Sequence, residues 1–528
     1  MQSDDQEDGM LGPMRHRLVI ASLALLAVGP APLARAEGFR GGVREALGER
    51  FEAAPVRDAA QRRGAPRLGS GAKDAILRWN QIAIDASGLD HTQPGPGDTH
   101  VFGQQIGPGR SSRALAIVQI AVFDAVNAIT GGYQSYTRLS PAPAETDMGA
   151  SIAQAAHDTL AALYPSQSAS FDAALAEDLD QIPARKRREK ENGIRLGRRA
   201  AAAILARRED DGSQHPEPRV GIDYLPSDEP GMWRQDPISQ IPLALGAYWG
   251  GVKPFVLRSV EPFRAPVPPA IDSEAYAIAF DEVQRLGGDG VVTPTERSED
   301  QTFAGIFWAY DGTPSLCAPP RLYNQITVQI AEQQRSLSAI ELARLFALVN
   351  TAMADAGVVI WESKYFYGYW RPITGIREAD EGTGPTGAGD GNPGTTGDPE
   401  FSPLGAPASN LIGPNFTPPF PAYPSGHAGF GGALFQTLRR FYGTDRIAFT
   451  FVSDEFNGVT LDNQGNVRPL IPRSFETLTE AEEENGQSRI YLGIHWSFDK
   501  TEGIAQGRRV ADAVFRSAFA PVRRGGSR

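Results

Sequence analysis

Three separate stretches of the chain carry side chains able to hold and transform a tetrahedral oxyanion. The first, WESKYFYGYWRP at 361–372, sets Lys364 and Arg371 seven residues apart among Trp361, Tyr365, Phe366, Tyr369 and Trp370. On one continuous helix that interval is about two turns, so both cations would point the same way. Taken alone, such a pair reads as snorkelling side chains on a solvated stripe, but the aromatic setting leaves little of this face wet.

The second stretch, PAYPSGHAGFGG at 421–432, brings a hydroxyl, a bare amide and an imidazole together in Ser425, Gly426 and His427. Pro424 fixes its own φ and holds Tyr423 extended, Gly426 lets a ligand approach the backbone, and the run at 427–440 has helical spacing. The free N–H groups of that helix's first turn then face whatever Ser425 faces, which makes an anion cradle. Alone, the stretch reads equally as a plain N-cap with a surface histidine.

In the third, SRIYLGIHWSFD at 488–499, Arg489 and His495 are six residues apart and nearly opposite on one continuous helix. For both to serve one site the chain must turn, most easily at Gly493, with Arg489 ending one helix and His495 starting the next. Asp499, four residues on, shares the face of His495 and can hold its imidazole in one orientation. By itself this cluster reads as a satisfied core histidine with a surface ion pair.

Together the stretches supply three cations, a hydroxyl, backbone amides and two histidines, with no acidic or thiol ligand. Guanidinium groups grip oxyanion oxygens in pairs, lysine acts as a movable point charge, and one imidazole can bond the central atom while the other moves protons. A divalent-metal centre is a poor reading, because neither an HExxH run nor a carboxylate cluster accompanies the histidines.

Lys364-x6-Arg371-Pro372, Pro424-Ser425-Gly426-His427 and Ser488-Arg489-x5-His495-x3-Asp499, in this order, resemble the signature of the superfamily joining vanadium-dependent haloperoxidases to type 2 phosphatidic acid phosphatases. The longer runs WESK, FPAYPSGHA and SRIYLGIHW are similar to the vanadium chloroperoxidase branch, most strongly over about 295–513. The resemblance implies a vanadate cofactor, with His495 bonded to the metal and Lys364, Arg371, Ser425, the Gly426 N–H and Arg489 holding its oxygens. It implies His427 as acid/base, Lys364 polarising hydrogen peroxide, and a halide oxidised to hypohalous acid. Asp311, in FWAYDG, resembles a supporting acid near Arg489 and His427, and completes an implied catalytic set of His427, Lys364, Asp311 and Asp499. Phe420 stands where chloroperoxidases carry phenylalanine and bromoperoxidases tend to carry histidine, and Trp361 stands at a tryptophan bordering the halide pocket. Bromide is the easier halide to oxidise, and chloride is conceivable.

Two other functions fit the same residues. A soluble exported acid phosphatase would use His495 as nucleophile, forming a phosphohistidine, and His427 to protonate the leaving alcohol. A lipid phosphatase is disfavoured because no long apolar span is expected after the leader. A non-catalytic phosphate-binding protein would need no acid/base pair. The crowding of Trp361 and Phe420 favours the peroxidase.

These side chains need a rigid frame, and the patterning supplies helices. Helical spacing begins near 74 and recurs at 111–129, 151–163, 184–207, 273–286, 294–310, 320–334 and 338–369, with convincing alternating strands absent. In the 111–129 run the opening serines offer an N-cap and Gly131-Gly132 ends the helix. The expected fold is all-α, a multi-helix domain built from two helical bundles with long Gly/Pro-rich loops. The N-terminal bundle would span 74–290, and the C-terminal bundle, 291–528, would carry the site. The connection at 380–423 is far longer than usual between helices, so it is either slack or rims the site. Its Asp and Gly residues lack EF-hand spacing, which favours a solvated loop over a calcium loop, and Asn415-Phe416-Thr417 matches a glycosylation sequon.

Composition bounds the partners. With 41% hydrophobic and 22% charged residues over 528 positions, the chain can bury a sizeable core. A net charge of -12 without a long basic block makes nucleic acid or an anionic membrane surface an unsuitable partner, so the cations must be gathered locally. The single cysteine, Cys317, rules out an intrachain disulfide and a Cys-rich zinc site. Only six methionines occur, three of them at or before Met14, which suits exposure to strong oxidants and is explained equally well by compositional drift. Met14-Arg15-His16-Arg17, the apolar run 18–28 and Ala34-Arg35-Ala36 have the form of a secretory signal, too short to span a bilayer. Residues 1–36 are therefore expected to be leader and signal, with translation starting at Met14. Residues 37–73 are expected to be an extended or disordered arm, and the mature chain to be exported without an integral membrane span. The oligomeric state is left open.

Overall fold

The computed structural model describes residues 42–54, 71–334 and 336–522; the expected signal at 1–36 lies outside the described residues. The fold is all-α apart from short strand pairs. Its helices are α1 (Val43–Leu47), α2 (Ala72–Asp90), α3 (Gly107–Thr130), α4 (Met148–Leu163), α5 (Ser168–Asp180), α6 (Arg187–Arg208), α7 (Glu274–Leu286) and α8 (Glu299–Phe307). They continue with α9 (Pro319–Gln333), α10 (Ala339–Tyr367), α11 (Pro372–Arg377), α12 (Gly426–Tyr442), α13 (Leu478–Tyr491) and α14 (Ser497–Ser517).

The centre is formed by α3 and α10, packed against each other. Both are long and apolar enough to cross a membrane, which corrects the expectation that no such span follows the leader. Their apolar windows are 89% and 100% buried within the protein, so they serve as core helices. Helix α3 starts earlier than its serines suggested. Pro108 opens it behind the N-cap Ile106, and Ser111 and Ser112 lie buried inside the helix, donating to the Gln105 and Gly109 carbonyls. Helix α10 starts where the Ser338/Glu341 capping box places it.

One apolar core joins residues on both sides of position 290. Leu115, Ile120, Ile152 and Ile204 belong to the same cluster as Phe346, Val359, Phe430, Leu434 and Val510. The two expected bundles therefore share their interior. Helices α12 and α14, which lead away from the Ser425 and His495 segments, pack backbone to backbone. A Cβ at Gly507 would lie 2.0 Å from the Gly429 carbonyl oxygen, so this contact admits only glycine. That close approach answers the glycine spotting of the 421–432 stretch.

The strands are few. β1 (Glu52–Ala53) pairs antiparallel with β2 (Leu411–Ile412), and β3 (Phe449–Phe451) with β4 (Arg473–Phe475). The first pair corrects part of the expected arm: α1 and β1 are folded, and Val43, Ala46 and Phe51 are buried in a cluster with Phe416, Leu492 and Ile494. The run expected as a helix over 294–310 is shorter. A Ser298/Gln301 capping box sets its start, and Tyr310 adopts a left-handed φ of 46° beyond its end. Helix α5 had no counterpart in the sequence reading. Asn415 is engaged at both ends of its amide, donating to the Leu404 carbonyl at 2.8 Å and accepting from the Ala408 N–H at 3.1 Å. A glycan would attach at Nδ2, the nitrogen already committed to the Leu404 carbonyl.

Candidate active site

The three stretches converge. Lys364, in the last turn of α10, is fully buried and donates from Nζ to the carbonyls of Pro421 and Ala422, both at 2.8 Å. Arg371 does not continue that helix face, which corrects the two-turn reading. Gly368 ends α10 in the left-handed conformation with φ 59°, and Arg371 becomes the N-cap of α11 with Pro372 behind it. The two cations still meet, because the chain turns back between them. Arg371 donates from Nε to the Phe420 carbonyl at 2.9 Å, and from Nη1 to the Ile494 carbonyl at 2.8 Å and to Nε2 of His495 at 2.9 Å. The far end of the 380–423 connection therefore rims the site.

Ser425 is the N-cap of α12, and its own N–H donates to the Asp499 carbonyl at 3.0 Å. Gly426 opens the helix with the Trp361 ring 3.3 Å from the place a Cβ would take. His427 follows, and its Nε2 bonds the Ala309 carbonyl. A carbonyl only accepts, so Nε2 carries the proton and Nδ1 is the basic nitrogen. That Nδ1 lies 4.0 Å from the Asp311 carboxylate.

Arg489 sits near the C-terminus of α13, fully buried, and the chain turns at Gly493 with φ 71° before His495, as the spacing suggested. His495 bonds through Nδ1 to Asp499 Oδ2 at 2.8 Å, and the same oxygen accepts the Trp496 N–H at 3.0 Å. The carboxylate fixes the proton on Nδ1, so Nε2 is the basic nitrogen, and its lone pair accepts from Arg371 Nη1. Arg489 donates from Nη2 to both oxygens of Asp311 at 2.8 Å, while its Nε and Nη1 are buried without a hydrogen-bond partner among the described residues.

Asp311, Gly426, His427, Arg489 and His495 line a cavity of about 60 Å³ together with Trp361 and Phe420, and Arg371 and Asp499 contact its lining through His495. Trp361 and Phe420 form its apolar wall, with ring centroids 5.0 Å apart. The Phe420 face also carries Lys364 Nζ at 5.1 Å and the Arg371 guanidinium at 5.0 Å. Trp361 is pinned by its Nε1–H donating to the Leu245 carbonyl at 3.0 Å.

The site holds more positive charge than its carboxylates balance. Burial holds the Lys364 ammonium well below the usual lysine range, and Arg371 adds to the effect. Burial, followed by the neighbouring cations, likewise pushes both His427 and His495 well below the ordinary histidine range, so each is neutral. Arg371 itself is pushed down to about 9 by burial, and Asp499 is raised to about 7 by burial against the Trp496 N–H, Lys364 and Arg371. Such a centre favours an incoming anion.

Of the residues implicated in the chemistry, Asp311, Trp361, Phe420, Gly426, His427, Arg489 and His495 line this cavity, Lys364 and Arg371 pack on Phe420, and Asp499 holds His495. Three supports had no sequence signal strong enough to notice. The Ala309 carbonyl holds His427, and the His427 carbonyl in turn accepts from Tyr323 Oη at 2.9 Å and Asn485 Nδ2 at 3.0 Å. The only hint was the four-residue interval from Asn485 to Arg489, which puts both on one face of α13.

Comparison with known proteins identifies the fold and the family. Solved structures that share the helical fold include a bacterial vanadium-dependent iodoperoxidase, with a TM-score of 0.66 and 22% identity, matched over 87% of this chain and 100% of that one. Another is the holo form of a bacterial vanadium-dependent chloroperoxidase, with a TM-score of 0.59 and 17% identity over 87% of this chain and 97% of that one. Residues 344–524 match the family model for the second helical-bundle domain of VCPO. The chain is 34% identical over 500 residues to the vanadium chloroperoxidase of Curvularia inaequalis, covering 80% of this chain and 78% of that protein. It therefore belongs to the vanadium-dependent haloperoxidase family, in its chloroperoxidase-like branch, and is an enzyme.

Proposed function

We propose that the chain is a vanadate-dependent haloperoxidase that oxidises bromide, and more slowly chloride, with hydrogen peroxide. The observation that carries this reading is the pair of buried Arg489 nitrogens, without a hydrogen-bond partner among the described residues, on a side chain that lines the same cavity as His495. Buried donors are rarely left unpaired, and these fit the oxygens of a bound oxyanion. The donor set suits vanadate: His495 Nε2 would bond the metal, and Lys364, Arg371, Arg489, Ser425 and the Gly426 N–H would hold its oxygens.

Bound vanadate supplies Lewis acidity that activates peroxide toward halide. The overall change is balanced as hydrogen peroxide, halide and one proton giving hypohalous acid and water. His427 Nδ1 is the protein atom that carries the proton, because Nε2 is committed to the Ala309 carbonyl. Asp499 keeps His495 in the tautomer that exposes Nε2. Lys364, held between two carbonyls, places a charge beside the reacting oxygens, and each lost donor of this kind costs about 2–4 kcal/mol of barrier. Trp361 and Phe420 keep water out and shape a place for a large, polarisable halide.

Apo enzyme assayed with peroxide and bromide, with and without added vanadate, tests the reading. Activity that ignores vanadate contradicts it, and hydrolysis of phosphate esters without halide oxidation would establish the phosphatase instead. Export through the 14–36 segment is part of the proposal, and N-terminal sequencing of the protein recovered outside the cytoplasm checks it; a retained leader would contradict it.

A further inference from the structure

A tyrosine in a left-handed conformation separates the two residues that face the proposed acid/base histidine. Tyr310 has φ 46°. The residue before it gives its carbonyl to His427 Nε2, and the residue after it gives its carboxylate to Arg489. Non-glycine residues adopt this backbone region rarely and at a cost, and they persist there only when the surroundings hold them.

The holding contacts are at the other end of the side chain. Tyr310 Oη donates to Gln325 Oε1 at 2.9 Å and accepts the Asp454 N–H at 2.7 Å, and its ring is fully buried. Asp454 is anchored in turn, accepting from Arg321 and, at 3.0 Å, from Gln325 Nε2. The hydroxyl therefore ties the Ala309–Asp311 turn to α9 and to the turn at 454–456. The same loop carries two more left-handed residues, Ser315 with φ 67° and Cys317 with φ 59°, closed by the Gly312 N–H to the Cys317 carbonyl at 2.8 Å.

We infer that Tyr310 is a positioning residue for His427. Its left-handed backbone aims the Ala309 carbonyl at Nε2 and the Asp311 carboxylate at Arg489 in one turn, and its clamped hydroxyl keeps it there. The consequence is a single His427 tautomer with the free nitrogen, Nδ1, turned to the cavity. That Nδ1 moves a proton rests on the haloperoxidase reading; the tautomer itself does not.

Tyr310→Phe keeps the ring and removes both hydroxyl bonds, and Gln325→Leu removes one of them. Nitrogen-15 spectra of histidine-labelled apo protein resolve the tautomers, with His427→Ala assigning its signal among the seven histidines. Wild type shows His427 as the Nε2–H tautomer alone. Tyr310→Phe shows a mixture of both, with kcat for bromide oxidation falling roughly tenfold or more and the bromide KM within about twofold. Gln325→Leu moves both readouts in the same direction by less. A folded Tyr310→Phe protein with an unchanged tautomer or an unchanged kcat overturns the inference. Should that variant not fold, an unchanged tautomer or kcat in Gln325→Leu does so. A wild-type protein inert toward halide refutes the functional reading instead, and the tautomer spectra then decide this inference alone.

Discussion

Arg489 gives one nitrogen, Nη2, to both oxygens of Asp311 at 2.8 Å, while Nε and Nη1 have no hydrogen-bond partner among the described residues. The acid thus anchors the guanidinium, and under the proposed function the other edge would serve an oxyanion. Burial raises the pKa of Asp311, and Arg489 opposes that shift, so the two groups depend on each other.

Removing Asp311 leaves a buried cation uncompensated. Asp311→Ala is expected to destabilise the vanadate-free protein by about 3 kcal/mol, and by less when vanadate is bound, because the anion restores part of the lost pairing. Thermal melts with and without vanadate check this. Equal losses in both conditions would contradict the anchoring role.

The cation surplus at Lys364, Arg371 and Arg489 makes the apo protein responsive to oxyanions in general. Vanadate and phosphate are both expected to raise its melting temperature, by about 2.7 kcal/mol of stability at a hundredfold excess over Kd. Phosphate is also expected to compete with vanadate in the halide assay. A melting curve indifferent to both anions would remove the oxyanion site from consideration.

The two histidines are expected to separate by function. His427→Ala cuts kcat by about 100-fold or more while vanadate is still retained. His495→Ala weakens retention itself, as measured by equilibrium dialysis. Normal vanadate binding by the second variant would contradict the assigned bond.

Under the proposed function, halide choice is expected to depend on the aromatic wall. Phe420 presents its ring to Lys364 and Arg371 at 5.1 and 5.0 Å, and an imidazole there would introduce a competing polar group. Phe420→His is expected to lower kcat/KM for chloride by roughly tenfold while bromide changes little, about the worth of one cation–π contact in a desolvated site. Competition assays with both halides measure it, and a parallel fall for both would refute the selectivity role.

Away from the site, His157 lies between Asp158 and Asp172, each at 2.7 Å. Burial lowers its pKa, but the two carboxylates outweigh burial and the net shift is upward. Protonated His157 therefore adds stability in full below the unfolded histidine pKa of about 6.5, and that contribution is lost as pH rises through the higher folded value. The stability gap between wild type and His157→Gln is expected to be widest below about pH 6 and to close toward alkaline pH. A gap independent of pH would show that the pairing is inert.

Much of the site was legible because its chemistry needs particular side chains. A helix N-terminus at Ser425 and a turn at Gly493 follow from local rules about caps and glycine, and both stand where those rules put them. The Lys364 to Arg371 interval misled because seven residues match two helical turns, although Gly368 and Pro372 already marked a helix end and a new start. The left-handed Tyr310 and the Ala309 carbonyl left no trace. Their geometry depends on Asp454 and Gln325, distant in the chain, and on a backbone oxygen that every residue possesses. The core shared across residue 290 was likewise invisible to periodicity, which identifies a buried helix face without naming its partner.

The most direct measurement is a vanadate titration of the apo enzyme with peroxide, bromide and a phenolic acceptor, following bromination. Activity is expected to rise from near zero and saturate at one vanadate per chain, and Arg489→Ala is expected to shift the curve to higher vanadate. Bromination that is already complete without vanadate, or that never emerges at saturating vanadate, would contradict the assignment of this cavity.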